Sequence, residues 1–298
     1  MVASQRGGIM GKQTKQKGSH FGGDWTIQKL HIIEEYLKVY ASVLKNQKVK
    51  KIYVDGFAGS GKTELKTKSS SEEEVATIVD GSALLSLKYD FDEYYFLELD
   101  PDRLAALQKH VQEQYPDKLG KVHFITGDCN EKLLNVIAQI TVYHRCLMFL
   151  DPYALELKWE TLKKISECAV VDLWYLFPLS AVRLMAKDKD ITEGNKEKVT
   201  SILGTDEWLD TLYEESQQVS LFDEPQYERV EYTKVLDYIK SRFATIFSYV
   251  SPHSKILKNE AKNAPMFMLC FMMTNKSSKA QALASKLVKA IISSAEKI

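Results

Sequence analysis

The feature that most narrows the fold is a series of short, almost wholly apolar segments, most of them closing on an acid. Lys51-Ile52-Tyr53-Val54 ends at Asp55, Tyr94-Tyr95-Phe96-Leu97 at Glu98, and Cys146-Leu147-Met148-Phe149-Leu150 at Asp151. Val122-His123-Phe124-Ile125 leads to Gly127-Asp128, and a fifth segment runs from Ala169 to Phe177. Strands that are apolar without alternation are buried on both faces, which is the mark of a parallel sheet sandwiched between helices. The intervening stretches have helical spacing. Ile27, Leu30, Ile33, Leu37, Tyr40 and Leu44 form a stripe across 26–45. Helices are also expected at 82–89, at 101–115 with Asp100 as cap and Leu104, Leu107 and Val111 inward, at 131–140 and at 159–167. A chain of 298 residues, 45% hydrophobic and 27% charged, has the material for one large α/β domain or two small ones. Asp55, Glu98, Asp128 and Asp151 would then line the carboxyl edge of the sheet, where open α/β folds bind ligands.

After Pro178 the rhythm changes. Residues 180–245 read as a helical insertion, with a separate small C-terminal domain as the alternative, before an apolar strand at 265–274 and a closing helix at 278–295. The expected organisation is a flexible polar tail at 1–23 followed by one α/β domain at 24–298. The tail has no apolar signal core, and no apolar run nears the roughly 20 residues of a membrane helix, so a cytoplasmic protein without membrane contact is expected. Thr67 to Glu74 (TKSSSEEE) reads as a surface loop. The net charge is zero, yet residues 1–70 carry +8, 231–298 carry +7 and the middle −15. That asymmetry makes a basic face only if the two ends meet in space; otherwise the lysines are ordinary solvated charges. The four cysteines form no C-x-x-C pair and the six histidines no ligand spacing, so no metal site is expected. The cysteines read as buried small residues, His110 and His123 as surface positions, and Met266, Met268, Met272 and Met273 as core.

One glycine loop satisfies two patterns. Gly56 to Thr63 (GFAGSGKT) fits G-x-x-x-x-G-K-[ST], a phosphate-cradling loop for which Asp151 could serve as magnesium partner. The same stretch reads as Asp55-x-Phe57-x-Gly59-x-Gly61, the nucleotide turn of S-adenosylmethionine-dependent methyltransferases. A phosphate loop must open a helix at Gly-Lys-Thr, and ELKTKSSSEEE has Leu65 as its one large apolar residue, too little to pack a helix on a sheet. Glu98 stands where methyltransferases place the acid that takes the ribose hydroxyls, and Gly127-Asp128-Cys129 where the adenine amino group finds an acceptor. The methyltransferase reading is preferred.

Taken in order, YVDGFAGSG, VDGSALLSL, FLELDPD, ITGDCN, MFLDPYALELKW and Phe177-Pro178 resemble the three-Cys-motif partner family, as does the leading helix DWTIQKLHIIEEYL with Trp25 and Lys29. The similarity spans about 24–180 and returns weakly at 265–292. It implies a class I methyltransferase-like Rossmann fold, a bacterial or phage setting, and a partner protein with three cysteines that looks like a radical-SAM enzyme. It implies S-adenosylmethionine as cofactor, with Asp55, Gly56, Phe57, Ala58, Gly59, Gly61, Glu98, Asp128 and Cys129 as its candidate contacts.

For the chemistry, Asp151-Pro152-Tyr153 resembles the [DNS]-P-P-[YF] element of amino-methyltransferases without its second proline. There the acid and a backbone carbonyl hold the target amine while the aromatic ring stacks on its base; the alternative is a plain strand-end turn. No proline precedes a cysteine, so the nucleophile of cytosine C5 methylation is missing. Three functions stay open: methylation of an amino group, of a nucleic acid or nucleotide; a phosphate-loop NTPase; and a catalytically silent module serving the three-cysteine partner.

Overall fold

The structure, a computed structural model, describes residues 24–68, 74–216, 226–259 and 262–296. The expected tail at 1–23 lies outside them. Helix α1 (Asp24–Val43) leads into β1 (Lys50–Asp55), after which a hairpin, β2 (Lys62–Lys68) and β3 (Glu74–Asp80), precedes the short α2 (Ser82–Ser86). The chain then alternates through β4 (Glu93–Glu98), α3 (Pro101–Gln114), β5 (Val122–Thr126), α4 (Cys129–Ile137), β6 (His144–Leu150), α5 (Trp159–Ser166) and β7 (Val171–Pro178).

Between β7 and the last strands lie α6 (Ser180–Leu184), α7 (Glu193–Leu203), α8 (Trp208–Thr211), a small hairpin of β8 (Tyr213–Glu215) and β9 (Tyr227–Arg229), and α9 (Tyr232–Ala244). The edge strands β10 (Tyr249–Val250) and β11 (Lys255–Asn259), the long β12 (Ala264–Met273) and α10 (Ser278–Ala295) complete the chain.

The eight-stranded sheet runs β5-β4-β1-β6-β7-β12, with β10 and β11 both on β12. Strands β5 to β7 are parallel, and β12 runs antiparallel to β7. From β1 the chain goes out to β4 and β5, then crosses back over β1 to β6. The order therefore reverses at β1, and a crevice opens at its carboxyl end. This is the sheet of a class I S-adenosylmethionine-dependent methyltransferase-like Rossmann fold, the fold class the sequence implies.

Strand residues alternate between two cores. Ile52, Val54, Met148, Leu150, Leu173 and Tyr175 face α4, α5, α7 and α9. Tyr53, Phe96, Leu147, Phe149, Trp174 and Phe271 face α1, α2, α3 and α10. The 180–245 segment thus buries Val199, Ile202, Trp208, Val235 and Phe243 in the same core as the sheet.

Two sequence readings need correction. The polar stretch after the glycine loop is not loop but hairpin: β2 and β3 pair in antiparallel register from Lys62↔Asp80 to Lys68↔Glu74. Residues 69–73 of the expected TKSSSEEE loop lie outside the described residues. The hairpin stands apart from the main sheet, and Ile78 on it is 68% exposed. The inward stripe of α1 also differs at its start. Ile32, Ile33, Tyr36, Leu37, Tyr40 and Leu44 are buried, but the stripe begins with Thr26 and Lys29 rather than Ile27 and Leu30. This helix therefore carries a polar end to the carboxyl edge of the sheet.

Candidate functional site

Four strand ends meet in the crevice, and the glycine loop crosses it. Asp55 closes β1. The loop is tied to both neighbours of β1: the Gly56 N–H donates to the Phe149 carbonyl at 3.0 Å, and the Ala58 N–H to the Leu97 carbonyl at 2.8 Å. Phe57 packs partly buried against the core, and Ala58 is buried. On α3, His110 Nδ1 lies 2.9 Å from the Ser60 carbonyl, so the histidine read as an ordinary surface residue touches the loop.

Glu98, at the end of β4, accepts the Gly59 N–H through Oε2 at 2.9 Å and the Asp100 N–H through Oε1 at 3.0 Å. Each carboxylate oxygen has a second lone pair, so both bonds leave capacity for a ligand diol. The two left-handed glycines of the loop differ in purpose. Gly59, at φ 60°, has nothing within 4 Å of where a Cβ would stand. Gly61, at φ 78°, would put a Cβ 2.5 Å from Leu107 Cδ1 and 3.0 Å from Leu84 Cγ. Gly61→Ala should therefore lower stability by about 2–4 kcal/mol, adding overpacking to the left-handed penalty. Gly59→Ala should lose only about 1–2 kcal/mol of stability while filling the open cradle. Denaturant midpoints and S-adenosylhomocysteine titrations of the two variants should separate fold from ligand effects in that way.

Asp55 is fully buried. Its Oδ1 accepts the Phe57 N–H at 3.2 Å, but Oδ2 receives no hydrogen bond from the described residues. Burial pushes the carboxyl up to about 7, against the Ser82 hydroxyl, the Phe57 N–H and Lys29, while the Asp151 charge pushes the same way as burial. A buried carboxylate oxygen without a donor is costly unless a ligand supplies one. A ligand ammonium fits that need, and open backbone at Gly59 beside the Glu98 carboxylate fits a ribose. On these two observations the residues suit S-adenosylmethionine.

Asp151, at the end of β6, forms an ion pair with Lys29 Nζ at 2.5 Å, and the lysine is 7% exposed. Lys29 Nζ also lies 5.2 Å from the centroid of the Trp25 ring, which in turn packs on Phe267 at 5.2 Å. Pro152 is buried and Tyr153 is 60% exposed. The structure thus gathers Asp55, Asp151 and Lys29 into one electrostatic cluster. Sequence reasoning named Lys29 only within the resembling helix. Its signal was position: Lys29 precedes Ile33 by four residues and Tyr36 by seven, which puts a charge on the buried stripe.

The remaining residues are placed more plainly. Asp128 caps α4, accepting the Asn130 N–H at 2.8 Å, and Asn130 Oδ1 in turn takes the Lys158 N–H and the Thr161 hydroxyl. Cys129 is buried, and its Sγ would lie 3.0 Å from a Cβ on Gly56. Burial raises the Cys129, Cys146, Cys168 and Cys270 thiols, so none has the lowered pKa of a nucleophile. Lys62 opens strand β2, so Gly61-Lys62-Thr63 starts no helix and has no N-terminal dipole for a phosphate. Among the described residues no group of three or more His, Cys, Asp or Glu could hold a metal ion, and no helix is long and apolar enough to cross a membrane.

No family profile matches the chain, and no curated protein matches it in sequence. Among solved structures, the chain is similar to LPL1258 from Legionella pneumophila, a protein of the family DUF519, at 14% identity and a TM-score of 0.49 over 90% of this chain and 91% of that one. It is similar to the methyltransferase domain of a bacterial Hen1 (CtHen1-C) at 9% identity and a TM-score of 0.36, over 81% and 98% of the two chains. The N-terminal domain of EvdMO1, solved with S-adenosylhomocysteine and D-fucose, is similar at 9% identity and a TM-score of 0.39, over 81% and 82%. Strand order and direction, rather than these likenesses, place the chain in the class I methyltransferase-like fold.

Proposed function

We propose that the protein is an S-adenosylmethionine-dependent methyltransferase of the three-Cys-motif partner type, acting on an amino group of a nucleic acid or nucleotide. The observation that carries this reading is the orphaned Asp55 Oδ2, buried beside the open Gly59 backbone and one strand away from Glu98. Asp55 would take the ligand ammonium and Glu98 the ribose hydroxyls. The Asp128-Cys129 turn would face the adenine edge. Bound there, S-adenosylmethionine supplies an electrophilic methyl group on a sulfonium. The chain's own part is positioning: Asp151 and the Pro152 carbonyl accept hydrogen bonds from the acceptor amine and aim its lone pair, and Tyr153 stacks on the ring that bears it. Lys29, 2.5 Å from the carboxylate, holds Asp151 oriented.

That same ion pair favours a second reading. Lys29 Nζ sits on Asp151 as an acceptor amine would, and a permanently occupied Asp151 is what a silent cofactor-binding module for a three-cysteine, radical-SAM-like partner would show. The two readings separate in one experiment. S-adenosylhomocysteine and, separately, ATP with magnesium are titrated calorimetrically, and tritiated methyl transfer is followed over DNA, RNA and the partner protein. Cofactor binding with transfer supports the enzyme, and binding without transfer to any of them supports the module. Magnesium-dependent ATP turnover lost in Lys62→Ala would overturn both.

Glu98→Ala should weaken S-adenosylhomocysteine binding about tenfold or more, the loss of charge-assisted hydrogen bonds worth about 1.5–3 kcal/mol. Glu98→Gln keeps an acceptor for the Gly59 N–H and should lose less. Equal affinity in wild type and Glu98→Ala would remove Glu98 from the ligand.

A further inference from the structure

The charge asymmetry of the sequence is unused by the site described so far. The N-terminal basic excess is not carried by α1, where Lys29 and Lys38 stand against Asp24, Glu34 and Glu35, but α1 packs against both α10 and the lysine-bearing β11. Where α1 meets the β11–β12 edge lies a cleft of about 320 Å³ lined by Trp25, Gln28, Lys255, Ile256, Lys258 and Asn263.

Several independent features shape this cleft. The β11–β12 register shifts between Leu257 and Lys258, an irregularity of the kind that re-aims side chains near functional sites. Asn263 holds a left-handed backbone at φ 46°, and its Oδ1 accepts from Lys258 Nζ at 3.2 Å. Exposed Lys262 adds a further positive charge next to it. Trp25 connects the cleft to the acceptor side of the crevice, since the same ring lies over Lys29, the partner of Asp151. The β11–β12 turn also lies at the carboxyl edge, because Phe267 pairs with Pro178 at the end of β7.

We infer that this cleft binds a single-stranded nucleic acid and leads its target base to Asp151. An aromatic face beside lysines suits a base stacked next to its phosphates. The Gln28 and Asn263 amides, each with donor and acceptor, suit base edges. An acidic peptide would use the lysines but would leave the tryptophan face and the amides without purpose. The inference deepens the proposed methyl transfer to a nucleic-acid amine and rests on that reading for the role of Asp151; binding itself does not depend on it.

The test is fluorescence anisotropy with labelled single-stranded DNA and RNA dodecamers, run over a salt series, beside S-adenosylhomocysteine calorimetry on the same proteins. Wild type should bind at least one of the two oligonucleotides. The pair Lys255→Glu with Lys258→Glu should lose at least tenfold in affinity, and removing two phosphate contacts should flatten the log K against log salt slope by about 1.4. Trp25→Ala should also lose at least tenfold, and Trp25→Phe should recover most of it. S-adenosylhomocysteine affinity should be the same in all of these, which also reports that they are folded. Unchanged oligonucleotide affinity in the charge-reversed protein would overturn the inference. So would a labelled polyglutamate peptide binding as tightly as the oligonucleotides. If wild type binds S-adenosylhomocysteine but no oligonucleotide, the cleft assignment fails and the cofactor site stands. If it binds oligonucleotide through Lys255 and Lys258 but no S-adenosylhomocysteine, the reverse holds.

Discussion

Asp151→Ala should abolish methyl transfer while moving cofactor affinity only modestly, and it should also destabilise the protein. The second effect follows from Lys29. With its partner removed, a lysine 7% exposed is left as an uncompensated buried charge, and breaking a buried pair in this way costs about 3–5 kcal/mol. Loss of activity alone would therefore be ambiguous. The combination Lys29→Met with Asp151→Ala removes both charges, so it should recover most of the stability without recovering transfer. Lys29→Met alone distinguishes an orienting lysine from a blocking one. An orienting lysine holds the Asp151 carboxylate in place through the 2.5 Å ion pair, so its loss should lower kcat at least tenfold. A blocking lysine would give a faster variant. Full transfer by Asp151→Ala would take the strand-end acid out of the mechanism.

How much of this was legible beforehand varies with the physics of each element. The parallel strands stood out because burial on both faces leaves no polar alternation, as in Cys146 to Leu150. The acids that end them stood out for the same reason, as abrupt charges after apolar runs. The β2–β3 hairpin did not. It lies outside the main sheet, so solvent accepts polar residues along it, and KTELKTK has no apolar period to read. Strands β10 and β11, of two and five residues, are held by pairing to β12, a tertiary contact that local sequence does not encode.

Asp128 could be read as either a ligand acid or a turn. The structure adds a local task, capping α4, that a Gly-Asp pair before a helix always admits. Lys29 was the residue most easily passed over. A long aliphatic stem with a charged tip ordinarily snorkels to water, and only its alignment with Ile33 and Tyr36 shows that here the tip is directed inward.

Asp55→Asn should stabilise the ligand-free protein at neutral pH and weaken cofactor binding about thirtyfold or more. Burial raises the Asp55 carboxyl from an ordinary value of 3.8 to about 7. A carboxyl raised in the folded state favours the protonated form. Its contribution to stability is complete below about pH 4 and is lost as pH climbs through 7. Asp172, partly buried with the Tyr36 hydroxyl donating to it at 2.9 Å and likewise raised to about 7, acts in the same window. The neutral amide introduced by Asp55→Asn removes one of these two losses, so urea midpoints should rise at pH 8 and change little at pH 4.

Binding runs the other way. A ligand ammonium pairs with the ionised carboxylate, so wild-type affinity for S-adenosylhomocysteine should fall about tenfold for each pH unit below 7. In Asp55→Asn that slope should vanish and affinity at pH 8 should drop by about 2–4 kcal/mol, thirtyfold or more. A purely structural Asp55 would give the stability change without the loss of affinity. Asp172 faces α1 rather than the glycine loop, so Asp172→Asn should reproduce the stability change and leave the pH dependence of binding in place.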